Sequence, residues 1–246
     1  MRSRAFLSTS ILIVVLLAIL EAGVRTRVIN PLFVAPPSDA IGGAVSGLLN
    51  GTLGGPLLVT LYETAVCLVL ATVLGTGTGY LLWRYGEAGR AFEPWVAGLF
   101  AAPLILLYPI PLVIFGRTST AVIAQATVMA LPPVILYTRQ SLAAIPPQFL
   151  KVAAAFRLTR GQAIRHVLAP AAAPTLFTGL RLGLTYILVG VISVEYLAEI
   201  GGLGKTISFD YLAFNMPGVY SAVTAVIMLA AVLLGVIGRL QAVVSR

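Results

Sequence analysis

The stretch EIGGLGKTISFD, residues 199–210, places Gly-Lys-Thr behind a run of glycines and so raises the possibility of a phosphate-binding loop. Loops of the Walker type follow the pattern G-x-x-x-x-G-K-[ST], because backbone N–H groups must face the phosphates while Lys and Ser/Thr serve phosphate oxygens and Mg²⁺. If Gly204, Lys205 and Thr206 ended that pattern, its first glycine would be residue 199. That residue is Glu199, which suits neither the turn nor the anion. The sequence therefore argues against a nucleotide site here.

Residues that could build a catalytic or metal site are scarce. His166 is the only histidine and Cys67 the only cysteine. Cys67 has no second cysteine for a disulfide or a CxxC redox site, and its apolar neighbours indicate core packing. His166 lies among basic residues, where a surface position is favoured over a metal or catalytic role. The sequence predicts no metal and no cofactor in this chain, and its lack of clustered polar residues disfavours a membrane enzyme.

The composition indicates a protein of the lipid bilayer. Of the 246 residues, 59% are hydrophobic and 10% are charged, and the mean hydropathy is +1.00. A spanning helix needs about 20 mostly apolar residues, and several such stretches follow one another with short polar breaks. The alternating segments of a membrane barrel are absent, and helices satisfy the backbone in lipid. The fold class predicted is an all-α membrane protein.

About six transmembrane helices are predicted. The first covers about residues 5–24, for which a cleaved secretory signal is the alternative, and a polar, Pro/Gly-rich loop follows it to residue 56. The other five cover about residues 57–83, 94–115, 118–137, 174–194 and 217–237.

The basic residues predict that both termini are cytoplasmic. With the N-terminus inside, twelve of the 16 Lys and Arg residues lie in inner segments and four in outer segments, as the positive-inside rule requires. The net charge of +8 therefore reports orientation rather than a nucleic-acid partner. Residues 199–210 then lie on the outer side of the membrane, where little ATP is present.

The longest inner segment, about residues 139–173, has the pattern of two short amphipathic helices. Apolar residues recur at helical spacing on either side of a break at Thr159–Gly161, at Phe149, Leu150, Ala153 and Ala154 and then at Ala163, Ile164, Val167 and Leu168. Gly161 can supply the unusual backbone angles of the turn. A basic, partly apolar tip suits docking into a groove of a cytosolic partner. A solvated loop that touches anionic lipid is the alternative.

This segment resembles the EAA loop of binding-protein-dependent ABC importer permeases. With Pro170 as the terminal proline of that motif, Lys151, Val152 and Ala153 fall at the Glu-Ala-Ala positions and Arg157 at the glycine. The spacing agrees, whereas Lys151 and Arg157 depart from the family's residue types. These departures concern the contacts with an ATPase subunit.

Further motifs resemble the nitrate, sulfonate, taurine and bicarbonate branch of those permeases. They run from about Leu57 to the C-terminus and comprise LVTLYETAVCLVLATVLGTGTGYLL, the proline-broken APLILLYPIPLVIFG, and a series formed by Pro170, Pro174, Gly179–Arg181, Glu195 and Gly202–Gly204. The resemblance implies the type I ABC importer permease fold with a cytoplasmic coupling loop. It divides the chain into an N-terminal helix and outer loop, residues 1–56, and a core, residues 57–246.

The resemblance also implies a function, in which the chain is an importer permease subunit of the bacterial inner membrane that forms the pathway for a small solute. Two cytoplasmic ATPase subunits would bind ATP and Mg, a second permease of the same or a related sequence would complete the pathway, and an external binding protein would deliver the solute. The residues implied to contact the ATPase are Ala153, Phe156, Arg157, Leu158, Thr159, Arg160 and Gly161.

Glu63, Glu195, Gly202 and Gly204 are candidates for the pathway or an outer gate. Glu63 lies about two turns inside the second span, where an ionisable residue is costly, and exposure near the outer end is its alternative. Glu195 matches an acid of the family series or only marks the end of the fifth span. The glycines permit a tight re-entrant turn or form an ordinary loop.

An ion-gradient-driven secondary transporter is the alternative function. Such transporters contain internal repeats and intramembrane charges that bind the coupling ion. The sequence shows no repeat and offers only Glu63 as such a charge.

Overall fold

The computed structural model describes the backbone of residues 2–244, and the side chains of that range except at positions 2–8, 10, 150, 152, 154, 160 and 244. Within it the chain is helical and contains no strand. The helices are α1 (Arg2–Arg25), α2 (Pro37–Leu49), α3 (Gly54–Arg84), α4 (Gly86–Ala101), α5 (Pro109–Phe115), α6 (Ser119–Ala143), α7 (Pro147–Ala155), α8 (Arg160–Ala163), α9 (Ala169–Ala198), α10 (Gly202–Leu212) and α11 (Met216–Val244), with a 3₁₀ turn at Leu104–Leu107 and a π turn at Ile164–Leu168.

Four helices of the described range are long and apolar enough to cross a membrane, and a bent pair makes a fifth if it is one span. They coincide with five predicted spans. The remaining predicted span coincides with α1, whose 24 residues are enough to cross a bilayer. Residues 11–19 of α1 are all apolar and exposed, as lipid contact requires.

The predicted third span is not one straight helix. It begins at Gly86 rather than near residue 94, and α4 meets the Leu104–Phe115 segment at a bend of 86°. The helix ends at Ala101, immediately before Ala102 and Pro103, because the residue before a proline is disfavoured in helical conformation. The side-chain amide of Gln125 on α6 donates to the carbonyl oxygen of Leu104 at 2.6 Å, which satisfies a carbonyl exposed by the break.

The loop predicted between the first two spans is partly helical. Helix α2 begins with a proline at its first position and has Asp39 in its first turn, and both residue types favour a helix N-terminus. The hydroxyl of Ser38 donates to the carboxylate of Glu21 on α1 at 2.7 Å, and Arg25 forms an ion pair with the same carboxylate. The prediction of a loop over the whole segment is therefore wrong, since tertiary contacts stabilise a helix of 13 residues.

The chain forms two compact units. One comprises the chain up to Thr60 together with Glu195–Met228, and the other comprises Leu61–Val194 and the chain from Leu229 onward.

In the second unit, α6 packs closely against helices on two sides. Glycines lie where helix backbones approach it: a Cβ at Gly75 or Gly79 of α3 would meet Val134 or Thr138, and one at Gly183 of α9 would meet Val134 again. Small residues at such positions allow close helix packing in membranes.

Candidate coupling and gating sites

The segment predicted to lie on the inner side, residues 139–173, is called the inner loop below. It contains α7, which ends in a left-handed turn. Arg157 has a φ of +47°, and the N–H of Leu158 donates to the carbonyl oxygen of Ala153 at 3.1 Å. This six-residue bond over a left-handed residue is the Schellman motif that ends many helices, usually with glycine at the left-handed position. Arg157, which falls at the glycine of the EAA pattern, therefore occupies a backbone conformation that favours glycine.

The next helix begins with a capping box. The N–H of Thr159 donates to Oε1 of Gln162 at 2.9 Å, and the N–H of Gln162 lies 3.4 Å from the hydroxyl oxygen of Thr159. Each residue thus satisfies a backbone donor of the other, as the pattern Thr-x-x-Gln predicts. The turn between α7 and α8 is stabilised by residues of the turn itself.

The second short helix of the predicted pair does not exist as a separate element. Helix α8 continues through the π turn at Ile164–Leu168 into α9, and Gly161–Ala198 forms one helix of 38 residues. The prediction of two short helices is correct for α7 and wrong for its successor. The side chain of Leu168 is buried in a cluster with Leu142, Ile145 and Ala172, against which Tyr80 and Trp83 pack. This packing joins the inner loop to the ends of α3 and α6.

The predicted ATPase contacts lie in different environments. Phe156 is 75% exposed at the tip, whereas Ala153 is buried. Leu158 is half-buried, and Arg157, Thr159 and Gly161 are exposed. The side chain of Arg160 lies outside the described residues. The loop therefore presents an aromatic ring and a cation at its most exposed turn.

The four predicted pathway residues do not all come together. Glu195, Gly202 and Gly204 meet at the junction of α9 and α10. The carboxylate of Glu195 accepts hydrogen bonds from the hydroxyl of Thr60 and from the N–H of Gly204, each at 2.7 Å. Glu63 belongs to the second compact unit, where it is completely buried in α3.

The Gly-Lys-Thr stretch forms the third to fifth residues of α10. A helix N-terminus attracts anions because its first N–H groups point outward and its dipole is positive there. In this chain the anion is the carboxylate of Glu195, which already binds the N–H of Gly204. The sequence prediction that the stretch is not a phosphate loop thus has a physical explanation.

The sequence from residue 69 to 246 matches the family described as "Binding-protein-dependent transport system inner membrane component". This match covers more than half of the chain. The chain belongs to that family. It is therefore a multi-pass membrane protein and a permease subunit of an ABC importer, and the secondary-transporter alternative is not favoured.

Individual relatives of this permease agree with the assignment. The nitrate import permease protein NrtB of Synechococcus elongatus is 29% identical over 220 residues, which are 88% of this chain and 75% of the relative. The riboflavin transport system permease protein RibX of Chloroflexus aurantiacus is 27% identical over 157 residues, or 64% and 59% of the two chains. A chain of the inward-facing MetNI methionine ABC transporter superposes with a TM-score of 0.67 at 25% identity, over 78% of this permease and 95% of that chain.

Sequence reasoning did not single out Thr60 as a site residue of the permease. Its hydroxyl oxygen accepts a hydrogen bond from the N–H of Leu203 at 2.9 Å, and the same hydroxyl donates a hydrogen bond to the carboxylate of Glu195. Because 135 positions separate Thr60 from Glu195 in the sequence, no local pattern could have indicated this pair. Thr60 lies in the stretch LVTLYETAVCLVLATVLGTGTGYLL that resembles the permease family, but that resemblance assigns it no role in a site.

Proposed function

We propose that this permease forms one half of the translocation pathway, pairs with a second permease subunit, and docks its inner loop onto a cytoplasmic ATPase. Two such ATPases bind ATP and Mg and perform all hydrolysis, while this chain contributes no catalytic site. An external binding protein delivers the solute. Both termini face the cytoplasm, as the distribution of basic residues predicts. The observation that supports docking most directly is Phe156, an aromatic ring 75% exposed at the tip of a cytoplasmic loop.

The charge of the loop supports an acidic partner surface. Between residues 94 and 194 the sequence contains no Asp or Glu, while Lys151, Arg157 and Arg165 are all exposed. These cations repel one another, and no acidic residue lies near them in the sequence to offset the repulsion. Complementary charge on a partner would raise the association rate and fix the orientation of docking. An ATPase groove with acidic residues at its rim and an apolar pocket for Phe156 fits this surface.

The backbone of Arg157 supports the same docking. A non-glycine residue in the left-handed region costs about 1 kcal/mol or more relative to glycine. The Schellman bond needs the left-handed backbone of residue 157 but not its side chain, and glycine would end the helix with less strain. The side chain of Arg157 is therefore best explained by a contact outside this chain.

A small anion such as nitrate, a sulfonate, taurine or bicarbonate is the solute class we propose. The support comes from the NrtB relative, whose name specifies nitrate import, and from the sequence motifs of that branch. The RibX relative, named for riboflavin transport, is similar over a smaller share of the chain. The ligand that copurifies with the system's binding protein decides this point directly.

Replacing Phe156 with aspartate tests the docking proposal. Loss of a central aromatic anchor typically weakens an interface by about 2 kcal/mol or more, and the added charge would oppose burial in an apolar pocket. We expect Phe156→Asp to insert into the membrane normally but to lose about 30-fold in ATPase affinity, together with solute uptake. The measurement is copurification of the ATPase and uptake in proteoliposomes.

Gln148→Asp is the matched control, because Gln148 is an exposed residue of α7, the helix that immediately precedes Phe156, and the substitution adds charge without removing an aromatic ring. It should retain ATPase and uptake. If Phe156→Asp copurifies with normal amounts of ATPase and transports normally, the assignment of the loop as the docking element is wrong.

A further inference from the structure

The carboxylate of Glu195 is buried at the predicted outer end of a span, a place where an ordinary acid would face water. It is completely buried, and a buried carboxylate is costly unless hydrogen bonds replace its hydration. We propose that Glu195 is a positioning residue that fastens α10 to α9, so that the two helices move as one body when the outer side of the permease opens and closes. The outer location rests on the proposed function and orientation.

Three hydrogen bonds form this connection, which we call the outer latch (Thr60, Glu195, Leu203 and Gly204). One oxygen of Glu195 accepts from the N–H of Gly204 and the other from the hydroxyl of Thr60, each at 2.7 Å. The hydroxyl oxygen of Thr60 accepts from the N–H of Leu203 at 2.9 Å. The outer latch therefore joins α9, α3 and the first turn of α10.

The latch performs the task that an N-cap side chain performs in most helices. The residue before α10 is Gly201, which has no side chain and makes no capping bond. The second and third N–H groups of α10, which need an external acceptor, are instead satisfied by Thr60 and Glu195. The negative carboxylate also opposes the positive end of the helix dipole. The start of α10 thus depends on two other helices.

The carboxylate of Glu195 leaves no space for a side chain at Gly202 of the turn. Gly202 has a φ of +65°, and a Cβ added to it would collide with the carboxyl group of Glu195. Gly201 has a φ of +51°, and a Cβ there would lie 3.1 Å from Cγ1 of Val59. Because no larger residue fits at Gly202 while Glu195 is in place, the turn and the acid form one unit.

The helix held in this way lines a cavity. Lys205 and Phe209 of α10 border a space of about 380 Å³ together with Val59 of α3. A change in the direction of α10 would therefore change the shape of this cavity. Glu195 is carried by the helix Gly161–Ala198, whose other end begins in the inner loop, so movement of that helix would carry α10 with it as long as the latch is closed.

The experiment uses the complete transporter, reconstituted in nanodiscs with its ATPase and its loaded binding protein. The variants are Glu195→Ala, Glu195→Gln and Thr60→Ala. Thr64→Ala is the matched control, because Thr64 is another buried threonine of α3 whose hydroxyl has no hydrogen-bond partner among the described residues. Two quantities are measured: hydrogen–deuterium exchange of residues 202–212, and ATP hydrolysis with and without loaded binding protein.

We expect Glu195→Ala and Thr60→Ala to speed amide exchange at Leu203 and Gly204 by about 5- to 10-fold. Stimulation of hydrolysis by the binding protein should fall by about 5- to 10-fold, within the usual range of coupling between distant sites, while the basal rate stays unchanged. Glu195→Gln keeps an oxygen that can accept from Gly204 and should retain most of both properties. Thr64→Ala should behave as the unsubstituted protein.

Unchanged exchange at Leu203 and Gly204 in both alanine variants would overturn the latch itself. Faster exchange with basal and stimulated hydrolysis lost in parallel would show a purely structural role and overturn the proposal. If the unsubstituted transporter shows no stimulation, the proposed function fails, and the exchange measurement still decides whether the latch exists. Should Glu195→Ala fail to fold, Thr60→Ala alone tests the loss of the latch, and Glu195→Gln is the variant expected to preserve it.

Discussion

The turn after α7, called the inner turn, and the turn after α9, called the outer turn, have the same backbone conformation. Each ends a helix with a charged residue in the left-handed region, Arg157 at φ +47° and Glu199 at φ +51°. Each closes with a six-residue bond, from Leu158 to Ala153 at 3.1 Å and from Ile200 to Glu195 at 3.2 Å. They differ in the residues that cap the N-terminus of the next helix.

The inner turn is completed by its own neighbours, whereas the outer turn is completed by distant residues. Thr159 and Gln162 cap α8 from within three positions of each other, while α10 is capped by Thr60 and Glu195. A local cap can open without moving the rest of the fold, but opening the outer latch would break two hydrogen bonds that a buried carboxylate accepts. We therefore expect the inner turn to adapt to a partner and the outer turn to be the more rigid of the two.

The largest difference in stability should appear between alanine substitutions at two glycines, one in each turn. Gly202→Ala places a Cβ against the carboxyl group of Glu195 at a left-handed φ, and we expect the substitution to cost about 2–5 kcal/mol. Gly161→Ala adds a Cβ with no described atom within 4 Å and should change stability by less than about 1 kcal/mol. Thermal unfolding of the purified permease complex, followed by tryptophan fluorescence, measures both.

Equal unfolding temperatures for the two alanine variants would show that the outer turn is no more rigid than the inner turn. A Gly202→Ala protein that recovers stability when Glu195→Ala is added would instead support the comparison, because the second substitution removes the group with which the new Cβ collides.

A smaller effect is expected from Thr159→Ala, which removes the local cap of α8. Loss of a threonine N-cap typically costs about 1 kcal/mol. Because the loop is exposed, we expect faster hydrogen–deuterium exchange confined to residues 159–168, with no change in residues 202–212. Gln162→Ala removes only the other half of the capping box and serves as the control. Global destabilisation by Thr159→Ala would contradict the idea that the inner turn is held locally.

The smallest effect on stability is expected from Arg157→Gly. Glycine adopts the left-handed conformation without steric cost, so the turn should gain up to about 1 kcal/mol. At the same time the ATPase should bind more weakly, because the cation is lost. Arg157→Lys keeps the charge and the strain and is the control. An Arg157→Gly variant that binds the ATPase as tightly as the unsubstituted permease would remove Arg157 from the docking surface.

Prediction from the sequence succeeded where the signal is local. Apolar spacing on either side of Thr159–Gly161 predicts the inner segment, and α7 lies where that spacing indicates a helix. The same spacing does not indicate that α8 and α9 form one continuous helix. At their junction Leu168 packs against the ends of α3 and α6, and such tertiary contacts are not visible in the local sequence. The roles assigned to Phe156 and Glu63 stay predictions.

The sequence alone determined that the chain is helical, spans the membrane several times and belongs among importer permeases, because long apolar runs and motif spacing are properties of the chain read in order. Only the tertiary structure decided that residues 199–204 form a helix start capped by side chains from elsewhere in the chain. Only folding brings Thr60 within 2.7 Å of Glu195, 135 positions away, and turns a glycine-rich stretch into a helix start held by a buried acid.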